Sequence, residues 1–148
     1  MAYILPTIFF WVLFFLLVPF KNWRSYYPVI LFSALLGTVS DLCGVIFKQW
    51  VYFGPVVGGL SLWSDLGIAP GEGAVFVRLF PKNKPILLRA GYLLLWSFVN
   101  ALFEWFFVKV GWIGYDHWNP IRAFVFYIFF FGFIWVQEYW YNGTERIR

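Results

Sequence analysis

Three side chains stand out for where they fall: Asp41 late in one apolar run, and Asn100 and Glu104 within another. A fourth, Glu72, opens a short helical stretch that follows a region rich in glycine and proline. An ionisable side chain at mid-depth in a bilayer costs about 2.5 to 3.5 kcal/mol on insertion scales, so each one needs a reason to be there. Carboxylates and an amide oxygen are hard ligands, suited to a proton, a metal cation or an amine. The competing role is packing: polar contacts between helices, neutral or paired with Lys48, Lys109 or Arg122.

Other chemistry is thin. His117 sits in the loop Tyr115-Asp116-His117-Trp118-Asn119, and one imidazole does not make a metal site. Cys43 has no partner in the chain and is two positions from Asp41, hence on another helical face; it is expected as a small packed thiol. Gly71-Glu72-Gly73 is too short for a phosphate loop and is expected as a bend before a helix. Asn142-Gly143-Thr144 matches a glycosylation sequon but is expected as a helix stop. No catalytic set, metal set or cofactor motif emerges. An enzyme acting on lipid would have to use Asp41 and Glu104 as an acid pair.

The elements that carry these residues are set by composition. Of 148 residues, 62% are hydrophobic and 26% aromatic, and only 12% are charged. One core of this length could not hide that much apolar surface, which excludes a soluble fold and makes lipid the solvent for much of it. One Cys excludes a disulfide scaffold. The net charge of +4 does not point to nucleic acid, because the basic residues lie between apolar runs and form no stripe. Runs at 3–20, 28–47, 85–108 and 120–141 are each long enough to cross a bilayer. The first has no basic segment before it and no small-residue cleavage site, which argues against a removed signal peptide.

Segment 51–80 decides the topology. If it stays on one side, Lys48, Arg78, Lys82, Lys84 and Arg89 share an outer loop, against the positive-inside rule. If it crosses at about 66–81, the inner side holds Lys21, Arg24, Arg78, Lys82, Lys84, Arg89, Arg146 and Arg148, and the outer side keeps Lys48, Lys109 and Arg122. The second arrangement obeys the rule. The expected fold is therefore an all-α integral membrane protein, a single domain over 1–148. Its bundle has five transmembrane helices with the third short or broken, the N-terminus outside and the C-terminus inside. The acids Asp41, Asp65, Glu72, Glu104 and Asp116 then all fall in the outer half. Aromatic clusters such as Trp23, Tyr26 and Tyr27 fall at the ends of spans, where a bilayer interface favours them.

Helical spacing gives two stripes. Ser33, Gly37, Ser40, Asp41 and Gly44 recur at three or four residues, and Ser97, Asn100 and Glu104 share a second face. Small residues let helices approach closely, so spans two and four are expected to pack through these stripes. That contact would bring Asp41 and Glu104 to similar depth in an outward-facing cavity, with Asn100 beside them and Glu72 closing it.

The arrangement resembles an uncharacterised family of small multi-spanning membrane proteins of endospore-forming bacteria. The resemblance lies in the basic turn Lys21 to Arg24, in Tyr27-Pro28-Val29-Ile30-Leu31-Phe32, in Asp41, in the aromatic stretch around Trp50 and in the Gly/Pro-rich approach to a short third span. It implies a multi-pass protein of the cell membrane and no activity. Three functions follow as expectations. The first is a non-catalytic partner or scaffold, with the lipid bilayer, other membrane proteins or a second copy as its partners. The second is a small transporter, channel or ligand-binding protein using the acidic cavity, and the third is the lipid-acting enzyme.

Overall fold

The computed structural model describes residues 3–53 and 56–143. It is helical throughout, apart from one small sheet. Helix α1 spans Ile4–Leu17, with Pro6 in the first turn where no N–H is needed. A 3₁₀ stretch, Phe20–Tyr26, turns the chain into α2, Tyr27–Ile46, which has Pro28 at its second position. Strand β1, Trp50–Tyr52, follows. A π-helical turn, Ser64–Ile68, leads directly into α3, Ala69–Leu79. Then come α4, Ile86–Lys109, strand β2, Ile113–Tyr115, and α5, Pro120–Asn142. Asn119 caps α5 by accepting hydrogen bonds from the backbone N–H groups of Ile121 and Arg122, both at 3.0 Å. Gly143 ends it with φ +54°, so Asn142-Gly143 is a helix stop; Thr144, Arg146 and Arg148 lie outside the described residues.

Three segments, Phe20–Ile46, Ile86–Lys109 and Pro120–Asn142, are long and apolar enough to cross a membrane. At 14 residues, α1 is shorter than the apolar run 3–20 that contains it. The third segment is an 11-residue helix, about 16 Å at 1.5 Å per residue. Every residue from Pro70 to Val77 is buried. Large apolar side chains such as Leu16, Leu87 and Ile121 instead point outward from the surrounding helices. A helix enclosed on all sides can carry small and polar residues while its neighbours turn their bulk to lipid.

Close packing on α3 explains the glycines. A Cβ on Gly73 would overlap Ser33 Oγ, and one on Gly37 would come within 3.0 Å of Ala69 Cβ. Gly71-Glu72-Gly73 is thus not a bend but the tightest part of a continuous helix. The small stripe of α2 is used, but its partner differs from the expected one. α2 packs on α3, the π-turn and α5, not on α4, because α3 takes the interior position between them. Gly44 lies against the Trp50 indole of β1, Ser40 lines the cavity described below, and Ser97 donates to its own helix at Leu93 O. Cys43 is exposed, not packed, because it lies off that stripe.

β1 and β2 pair antiparallel, Trp50 opposite Tyr115 and Tyr52 opposite Ile113, tying the α2–α3 connection to the α4–α5 connection. Tyr3 joins this end by donating to Trp112 O at 2.7 Å. At the opposite end Arg78 Nε donates to Leu17 O, and Lys82 pairs with Glu138 at 3.4 Å. Helix α3 therefore runs from the sheet end to the far end. An aromatic core of Phe76, Tyr92, Trp96 and Phe131 surrounds it, and Tyr92 Oη donates to Phe76 O at 3.0 Å.

Candidate functional site

At the sheet end the helices leave a cavity of about 450 Å³. Asp41 and Ser40 reach it from α2, Glu72 from α3, and Asn100 and Glu104 from α4. The four residues singled out in the sequence, Asp41, Glu72, Asn100 and Glu104, thus line one space although α2 and α4 do not pack together. The structure adds a fifth, Asp65, held in the π-turn and 1% exposed. Sequence reasoning left Asp65 in an outer segment. The signal was its spacing: Asp65, Ala69 and Glu72 recur at four and three residues, one continuous helical face.

The acids differ in how they are met. Glu104 is fully engaged: Oε1 accepts from Tyr115 Oη at 2.7 Å and from Trp118 Nε1 at 3.0 Å, and Oε2 accepts from Tyr127 Oη at 2.7 Å. The other three are not. Asp65 lies beside Asp41, with the Tyr52 phenol next to them. No directed hydrogen bond reaches Asp41 Oδ2 or either Asp65 oxygen. Glu72, 5% exposed, faces the Asn100 amide and the Trp96 indole, yet its Oε1 has no directed partner among the described residues. Asn100 itself donates to Trp96 O at 3.1 Å.

None of the anticipated cations meets these acids. Arg122 donates to the His117 carbonyl, Lys109 lies over the Trp105 ring at 5.4 Å, and Lys48 is exposed. Among the described residues the ion pairs are Lys82–Glu138 and His117–Asp116, the latter at the surface. Among the described residues, no Lys, Arg or His lines the cavity. Its remaining wall is aromatic, with Trp50, Tyr52, Trp112, Trp118, Phe126 and Tyr127 among the lining side chains. Burial pushes the phenols of Tyr52 and Tyr115 well up from their ordinary range, with nearby Asp41 and Glu104 adding to the effect. Both therefore stay neutral donors.

Chemically, the site combines buried carboxyl groups with π-faces. Adjacent carboxylates in a weakly polar space repel, and a positive group between them removes that repulsion. No three Asp, Glu, His or Cys side chains among the described residues converge as a metal ion would need. The space is also of small-molecule size. No family model, curated protein or solved structure matches the chain.

Proposed function

We propose that this is a multi-pass membrane protein that binds an organic cation in its acidic, aromatic-walled cavity. The observation that carries the reading is four carboxyl groups on one cavity whose described lining residues include no positive side chain. A cationic guest meets the adjacent Asp41 and Asp65, with Glu72 on the same cavity wall, and the surrounding indole and phenol rings add cation–π attraction of about 0.5 to 2 kcal/mol each. In this arrangement five segments cross the bilayer, α3 with its π-turn being the short third. The sheet end and the N-terminus face outside and the C-terminus inside, as the distribution of Lys and Arg favours. Binding of this kind suits a small carrier or sensor in the cell membrane.

The scaffold reading draws on the outward apolar side chains, but any lipid-facing helix shows those, so they favour no partner. An acid pair acting on lipid would have to be Asp41 with Asp65, since Glu104 is occupied by Tyr115, Trp118 and Tyr127.

The test is thermal unfolding of the purified protein with alkylammonium ions against the corresponding alcohols. The ammonium series is expected to raise Tm, the alcohols to leave it unchanged, and Asp41→Asn with Asp65→Asn to remove the rise. Equal effects of ammonium and alcohol, or a rise that survives both substitutions, would sink the proposal.

A further inference from the structure

The cavity is closed where it would meet water and open where it would meet lipid. On the sheet side, β1 and β2 form a roof, and Tyr3, 3% exposed, packs against Tyr52, Phe107 and Trp112 with its hydroxyl on the Trp112 carbonyl. On the flank between α1 and α4 there is no such closure. α1 packs on α3 and the π-turn, and α4 packs on α5 and β2, so the two helices flank α3 without forming a packed pair. Leu5 and Phe9 of α1 and Phe103 and Phe106 of α4 all line the cavity, yet each is at least half exposed, Leu5 being 72% exposed. A side chain that belongs to both surfaces marks an opening.

Resting on the cation-binding reading above, we propose that the cavity is loaded sideways from the bilayer through the gap between α1 and α4. Its ligand is a cationic amphiphile, a lipid-like amine. The ammonium group sits at the adjacent Asp41 and Asp65, with Glu72 on the same cavity wall, and the alkyl chain leaves along Leu5, Phe9, Phe103 and Phe106. Two features fix the class. Asp65 and Glu72 are more than nine-tenths buried, line the cavity and carry carboxylate oxygens with no directed partner among the described residues, so the head must be a donor or a positive charge. Among the described residues the lining has no Lys, Arg or His to meet a phosphate, so an ordinary phospholipid head would bring an uncompensated anion into an acidic space. Lateral entry also fits the physics of the tail: a chain already in the bilayer gives up little on passing from lipid to an apolar groove, which leaves selection to the head.

The experiment uses the full chain in nanodiscs and three probes: octadecylammonium and octadecanol, which stay in the bilayer, and butylammonium, which stays in water. Octadecylammonium is expected to raise Tm by about 5 °C at saturating load, octadecanol to have no effect, and the Asp65→Asn, Glu72→Gln variant to lose the response. Phe9→Trp with Phe103→Trp, which fills the gap, should lose the octadecylammonium response while keeping any response to butylammonium. A response to butylammonium with none to octadecylammonium would mean a site open to water, overturning lateral entry and leaving the cation site standing. No response to either ammonium would overturn both proposals. A response to octadecylammonium that persists in the gap-filled variant would overturn the route alone.

Discussion

Two regions of this molecule bury acids, and they do so in opposite ways. At the far end Glu138 is 1% exposed, and it is met by Lys82 at 3.4 Å and by the Asn142 amide at 2.9 Å. At the sheet end Asp65 is as deeply placed and Glu72 and Asp41 are also buried, but no cation pairs with them among the described residues. The same desolvation cost is offset in one case by the protein's own charge and left open in the other. A paired acid joins helices, here α5 to the connection after α3. Asp41, Asp65 and Glu72 instead border a space of about 450 Å³, and that contrast is what the cation-binding proposal rests on.

The comparison predicts effects of opposite sign. Without ligand, Asp65→Asn with Glu72→Gln should leave the protein as stable or more stable, by up to about 3 kcal/mol, because buried unpaired charge is removed. Lys82→Met should destabilise by about 1 to 3 kcal/mol, since Glu138 loses a charged partner and Lys82 is only partly exposed. Denaturation in detergent, following helical signal, measures both; the same sign for both would erase the distinction between the two regions. Tyr127→Phe sharpens it within the cavity. Glu104 behaves like Glu138, already satisfied, so removing one of its three donors should cost about 1 to 2 kcal/mol and leave ammonium binding in place.

The smallest effect concerns pH. The Tyr52 and Tyr115 phenols are held above their ordinary value, so neutral phenol is favoured in the folded state. Their stabilising contribution is complete below about pH 10, the unfolded value, and falls away as pH rises toward the folded value. Alkaline titration followed by phenolate absorbance should show these two ionising late, together with loss of structure; ionisation near pH 10 in the intact fold would show that the sheet end is wet.

Much of the site was legible because charge is costly in an apolar run. Asp41 and Glu104 could be picked out by that cost alone, Asn100 by the helical face it shares with Glu104, and Glu72 by its place at a helix start. Asp65 was not, because an acid just ahead of a predicted helix looks like a loop residue until the π-turn joins it to α3. The strands at Trp50–Tyr52 and Ile113–Tyr115 are three residues each, too short to show alternation, and their partner lies more than sixty positions away. The small stripe on α2 was visible, but not its partner: glycines that allow close approach do not say to which helix, and Gly71 and Gly73 show a bend and a tight contact with the same letters.

Composition and period were enough to determine that these are apolar helices, where Pro28, Pro120 and Gly143 start and stop them, and which faces of α2 and α4 carry Asp41 and Glu104. Those are local properties, fixed by the geometry of 3.6 residues per turn and by what lipid tolerates. Tertiary structure alone decided that α3 occupies the interior and that four carboxyl groups share one space with no Lys, Arg or His among the described lining residues. A helical face specifies what it must be covered by, but not which distant segment covers it, because that choice depends on how all five helices fill the interior at once.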